Sequence, residues 1–156
     1  VDFLRAKYNQ DHKYSIYGKG LNVETLVKRM NDWHYELRRY KHLGNHSWKP
    51  EEYSNVDHTD EDTNYWTLSQ ITTGKELCSE GTAMHHCVSS YLQRCKLGYC
   101  SIWSLKINGK RAATIEAVKG KIVQARGYAN RDLKKNEQAA LKKLTEQNNL
   151  AIHVKF

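Results

Sequence analysis

Residues able to move protons, neutralise phosphate charge or act as nucleophiles are concentrated in the middle of the chain. His86 and Cys87 are adjacent, preceded by a further histidine, His85, and followed at a distance by Glu116 and Arg126. Imidazole and carboxylate can exchange protons while a guanidinium stabilises a phosphorane, which is the chemistry of metal-independent phosphodiester cleavage. A thiol beside an imidazole offers a second chemistry, Cys–His hydrolysis or group transfer, with Cys87 as nucleophile and His86 as base. A third reading is purely structural. Glu116 and Arg126 then pair across two strands, His86 satisfies a backbone carbonyl, and Cys87 and Cys95 are small core residues.

The spacing constrains these readings. Neighbouring helical residues point about 100° apart, so His86 and Cys87 share a pocket only where the backbone is irregular. Cys87, Tyr91 and Cys95 fall on one helical face, which brings Tyr91 into the candidate set. A three-residue turn at Val118–Gly120 places Thr114, Glu116, Gln124 and Arg126 on one face of a hairpin. Ala113, Ile115, Ala117, Val123 and Ala125 then line the other face. A two-residue turn at Lys119-Gly120 mixes the faces. His58 lies in an acidic run with Asp57, Asp60, Glu61 and Asp62 that lacks ligand spacing, and none of the four cysteines forms a CxxC pair. No metal and no cofactor are expected.

Several elements must position these groups. Asn22 precedes a helix running to about Leu43, with Leu26, Met30, Trp33 and Leu37 as its apolar stripe. Its outer face is basic, through Lys28, Arg29, Arg38, Arg39 and Lys41. Residues 45–64 read as a long loop. Two helical patches follow, Thr73–Ser79 and Ala83–Leu97, separated by Glu80-Gly81. From Tyr99 the period becomes two, giving strands Tyr99–Ile107, Arg111–Ala117 and Lys121–Gly127, with Asn108-Gly109 as a hairpin turn. A helix over Leu133–Asn148 buries Leu141 and Leu144, and a final strand, Leu150–Phe156, turns Ile152 and Val154 inward. The expected class is α+β, with N-terminal helices packed on a small antiparallel sheet. That sheet is a meander of three strands plus a C-terminal strand.

The run Glu80-Gly81-Thr82-Ala83-Met84-His85-His86-Cys87-Val88, followed by Tyr91, resembles the signature of PcfJ-like proteins from bacterial conjugative plasmids and phages. The family's order continues through Cys95, Gly98, Ser101–Leu105, Thr114-Ile115-Glu116, Ile122–Gly127 and Asn130. The resemblance spans roughly Trp66 to Phe156, the C-terminal domain of such proteins. It is loose over residues 1–65, resting there on Trp33, Trp48 and Pro50. It implies that His86 and Cys87 are the hallmark pair, that Arg126, Gly127 and Asn130 form an RG-x-x-N motif, and that the setting is mobile-element DNA biology. The candidate catalytic residues are thus His86, Cys87, Glu116 and Arg126, with Gln124, Asn130, Thr114 and Tyr91 contacting substrate.

Lys and Arg outnumber Asp and Glu by 25 to 17, and the net charge of +8 suits a polyanionic partner. The expected partner is therefore nucleic acid, alongside proteins of a conjugation or phage system. Apolar runs are too short for a membrane span, and the N-terminus carries no signal-peptide core, so no membrane contact and a cytoplasmic location are expected. Residues 1–156 are expected to form a single domain, a helical part over 1–65 and a core over 66–156. The start at Val1 suggests a piece of a longer protein. The readings carried forward are a nucleic-acid-associated domain with metal-independent nuclease activity, a Cys–His hydrolase or transferase, and a non-enzymatic interaction module.

Overall fold

The computed structural model describes residues 22–25, 27, 28, 31, 32, 41–86 and 89–156. The chain falls into two compact units, Val1–His42 and Leu43–Phe156. In the first, the described residues 23–25, 27, 28, 31, 32, 41 and 42 are helical. Asn22 caps the start as its position predicts, its Oδ1 accepting from the Thr25 amide at 2.8 Å. The stripe Leu26, Met30, Trp33 and Leu37, and Arg29, Arg38 and Arg39 of the basic face, lie outside the described residues.

The second unit is built on a six-stranded mixed sheet that is curled into a half-barrel. Its strands are β1 (Val56–Thr59), β2 (Tyr65–Ile71), β3 (Ser101–Ile107), β4 (Lys110–Val118), β5 (Lys121–Gly127) and β6 (Ala151–Ile152), in that spatial order. Short helices accompany them: α1 (Gly74–Met84), α2 (Ser89–Lys96) and α3 (Lys135–Asn148), with a 3-10 turn at Tyr128–Asn130.

This corrects the expected architecture. Strands dominate, rather than N-terminal helices on a small antiparallel sheet. Two additions enlarge the sheet. The stretch read as a loop supplies β1, and Tyr65–Ile71, to which no element was given, supplies β2, which pairs antiparallel with β3. The alternation of buried Trp66 and Leu68 with more exposed neighbours is the period-two signal of β2. The last strand is only two residues long and runs parallel to β5. A parallel neighbour requires a crossover, and α3 provides it. Ile152 and Val154 are partly buried against the core, as expected.

Local turn chemistry explains the meander. Asn108 and Gly109 both have positive φ (49° and 78°), the geometry of a type I′ hairpin. The β4–β5 turn has two residues, Lys119 and Gly120, also at positive φ (51° and 75°), and not three. The faces nevertheless stay separated, because the register shifts beside Ala117 and Val123 is the extra residue. Ile122 takes the core position in its place, and Val123 is exposed. Thr114 then stands opposite Arg126, and Glu116 opposite Gln124.

The apolar face of the sheet carries Trp66, Leu68, Trp103, Leu105, Ala113, Ile115, Ile122 and Ala125. It packs with Leu141 and Leu144 of α3 in one buried cluster. The buried indoles have partners: Trp66 donates to Asp60 at 2.8 Å and Trp103 to Ser101 at 2.9 Å. A smaller cluster on the other side joins Ile71, Leu77, Leu92, Cys95, Cys100 and Ile102. No helix is long and apolar enough to cross a membrane among the described residues.

Candidate functional site

Helices α1 and α2 set the chemistry on the second face. Thr73 caps α1, accepting from the Glu76 amide at 3.1 Å. The helix runs unbroken through Glu80 and Gly81 and ends at His85 in the left-handed conformation, with the His86 amide donating back to Gly81 O at 3.0 Å. The sequence places the break at Glu80-Gly81, but the cap hydrogen bonds move it to His85. His86 is therefore not helical. Cys87 itself lies outside the described residues.

Glu80 is 1% exposed and is the centre of a buried network. Its Oε2 accepts from Ser104 Oγ at 2.9 Å and Arg111 Nε at 2.8 Å, and its Oε1 from Thr114 Oγ1 at 2.7 Å. Ser104 and Thr114 are register partners on β3 and β4, so one carboxylate ties α1 across two strands. The sequence reading missed this residue. The signal was an acid standing in line with buried Leu77 and Met84 at helical spacing.

A second cluster lies nearer α2. Arg94 pairs with Glu116 at 2.8 Å, and its guanidinium lies 5.6 Å from the centre of the Tyr91 ring. The Tyr91 hydroxyl donates to Gln124 Oε1 at 3.3 Å. Burial pushes the Tyr91 phenol above its usual range, the Glu116 charge adds to this, and Arg94 partly offsets it.

The third cluster occupies the junction of α1 with the turn after β5. His86 Nδ1 faces Asn130 Oδ1 at 2.8 Å. With an oxygen there, Nδ1 is the donor, assigned from the hydrogen bond, and Nε2 is the ring nitrogen turned away from it. That Nε2 is buried and has no hydrogen-bond partner among the described residues. His85 Nε2 meets the Tyr128 hydroxyl at 3.1 Å, with the two rings 4.8 Å apart. Arg126 pairs with the exposed Asp132. A Cβ at Gly127 would meet the Arg131 guanidinium, which would have to shift to admit it. Arg131 in turn clamps Glu137 at 2.7 and 2.8 Å.

Backbone strain collects at this junction. His85, Ala129 and Asn130 all have positive φ (54°, 51° and 62°) without being glycine. Such positions cost on the order of 1 kcal/mol or more each and persist where surrounding contacts fix them. Here the histidine–asparagine and histidine–tyrosine contacts join the two strained segments.

All the candidate residues except Cys87 can thus be placed. Thr114, Glu116, Gln124 and Arg126 share one sheet face, Tyr91 reaches Gln124 from α2, and His86 reaches Asn130. The cross-strand Glu116–Arg126 pair does not form, because Glu116 holds Arg94 and Arg126 holds Asp132. His86 contacts neither Glu116 nor Arg126 by hydrogen bond; its partner is Asn130.

Comparison with curated proteins and with solved structures finds no match. Comparison with protein families matches residues 21–141, so the likeness begins well before Trp66 and stops short of the C-terminus. That span exceeds half of the chain and includes the Glu80 network, both histidines and the Arg126–Asn130 turn, and on it the chain belongs to the family of PcfJ-like proteins.

Proposed function

We propose that this domain binds nucleic acid in a mobile-element setting and cleaves phosphodiester bonds at the junction of α1 with the turn after β5. One observation carries the reading: His86 is oriented through Nδ1 by Asn130, and its buried Nε2 has no hydrogen-bond partner among the described residues. An imidazole fixed by one ring nitrogen, with the other buried and lacking a partner, can act as a general base once a substrate reaches that nitrogen. His86 Nε2 would take the proton from an attacking water or RNA 2′-hydroxyl as its oxygen bonds to phosphorus. The P–O bond to the leaving oxygen then breaks, and that oxygen takes the proton back from the His86 imidazolium. Arg126, exchanging Asp132 for phosphate, would neutralise the charge gathering on the non-bridging oxygens. Glu116 serves differently from the role read in the sequence. Paired with Arg94, it holds α2 against the sheet instead of acting as a base. The net charge of +8 supplies the long-range attraction.

The test is retention and cleavage of labelled RNA and DNA in EDTA across a salt series. The expected result is binding that falls steeply as salt rises and cleavage abolished by His86→Ala and by Arg126→Ala. Binding without cleavage on any substrate would remove the nuclease and leave a nucleic-acid-binding module. No retention even at low salt would favour a protein-interaction module. Labelling of Cys87 by iodoacetamide much faster than Cys78, Cys95 and Cys100 would instead support the Cys–His enzyme.

A further inference from the structure

Two of the four cysteines touch each other. Cys95 sits in the last turn of α2 and Cys100 directly before β3, and their Sγ atoms are 3.8 Å apart. The chain reverses between them at Gly98, whose φ is +74°. Sulfurs in a disulfide stand about 2.05 Å apart, so bond formation needs an approach of only about 1.8 Å. Although the two thiols are 3% and 2% exposed, the residues linking them are open to solvent, Leu97 at 64% and Tyr99 at 65%.

We propose that Cys95 and Cys100 form a redox-responsive dithiol site, closed to an intramolecular disulfide by a small disulfide oxidant such as oxidised glutathione. The Cys100 thiolate attacks one sulfur of the oxidant, forming a mixed disulfide and releasing one glutathione thiolate. Cys95 then loses its proton, attacks Cys100 Sγ and expels the second glutathione thiolate. Two electrons and two protons pass from the protein to the oxidant. The Cys95 thiol hydrogen-bonds to Cys100 and lowers its pKa against the opposing effect of burial, with Arg94 adding to the lowering. The same hydrogen bond, together with burial, raises Cys95.

The bond would lie next to the polar face. Arg94, which holds Glu116, immediately precedes Cys95, and Ser101 of β3 follows Cys100. Oxidation would therefore fasten the end of α2 to the start of β3.

The test exposes the folded chain to a series of glutathione redox ratios, blocks remaining thiols with iodoacetamide and digests with trypsin. Cleavage after Arg94, Lys96 and Lys106 isolates Cys95-Lys96 from residues 97–106. Mass spectrometry should find these two peptides joined, about 2 Da lighter than their sum, with Cys78 and Cys87 recovered alkylated. Cys95→Ser and Cys100→Ser should each abolish the joined species. The proposal is overturned if Cys95 and Cys100 are both recovered alkylated after oxidation of the folded protein. It is equally overturned if Cys100 is found bonded to Cys78 or Cys87.

Discussion

On the side of the sheet under α3, buried contacts are almost wholly apolar: Trp103, Leu105 and Ile115 meet Leu141 and Leu144. On the side under α1 and α2, Ser104, Thr114, Glu116 and Gln124 meet Glu80, Arg94 and Tyr91, and Arg126 on the same face meets Asp132. The first face is held by contact area, which is non-directional and tolerates volume-conserving change. The second has a smaller apolar cluster around Leu77, Leu92 and Ile102 and adds directed hydrogen bonds, in which each buried group depends on its partner. Positive-φ residues also cluster at the edge of the polar face, at His85, Ala129 and Asn130. Stability and candidate chemistry are thus divided between two faces of one sheet.

The division can be tested by substitution. Leu144→Ala, on the apolar face and fully buried, should cost about 2–5 kcal/mol in chemical denaturation, with nucleic-acid retention preserved below the midpoint. Glu80→Ala should cost about 3 kcal/mol, because it strands the Ser104 and Thr114 hydroxyls and leaves Arg111 without its partner. A loss under about 1 kcal/mol would show that this network is solvated rather than structural.

A pH series separates the two faces further. Burial pushes the Glu137 carboxyl up, but hydrogen bonds from Arg131 and the Lys134 amide prevail and hold it below the ordinary glutamate value of 4.5. A depressed folded-state pKa stabilises above the unfolded pKa, and that contribution is lost as pH falls through the folded value. Acid denaturation below about pH 4.5 should therefore be steeper in the wild type than in Glu137→Gln. Equal slopes would show that the Arg131 clamp is not what sets acid sensitivity.

The smallest stability effect belongs to Arg126→Ala. Its side chain is 41% exposed and its partner Asp132 83% exposed, so the ion pair should contribute about 1 kcal/mol or less. Loss of cleavage with a melting temperature near wild type would place Arg126 in the chemistry. A large drop in melting temperature would return it to the scaffold.

What the sequence determined by itself was local or periodic. Asn108-Gly109 specifies its hairpin because both positions require positive φ, Asn22 caps because its side chain reaches the Thr25 amide, and Leu141 and Leu144 mark the inner face of α3 by their spacing. Alternation along β4 and β5 even separated the polar from the apolar face, although the turn has two residues and a bulge makes up the difference. The tertiary structure decided the rest. β1 exists because the β2 edge offers a partner for its backbone, and β6 runs parallel because α3 carries the chain back across the sheet. Glu80 became a core residue through donors on β3 and β4, and His85 and His86 found their partners in Tyr128 and Asn130, 43 and 44 residues away. A backbone preference is written in the residue that has it, whereas a strand needs an edge and a buried carboxylate needs donors, and only the folded chain brings those partners together.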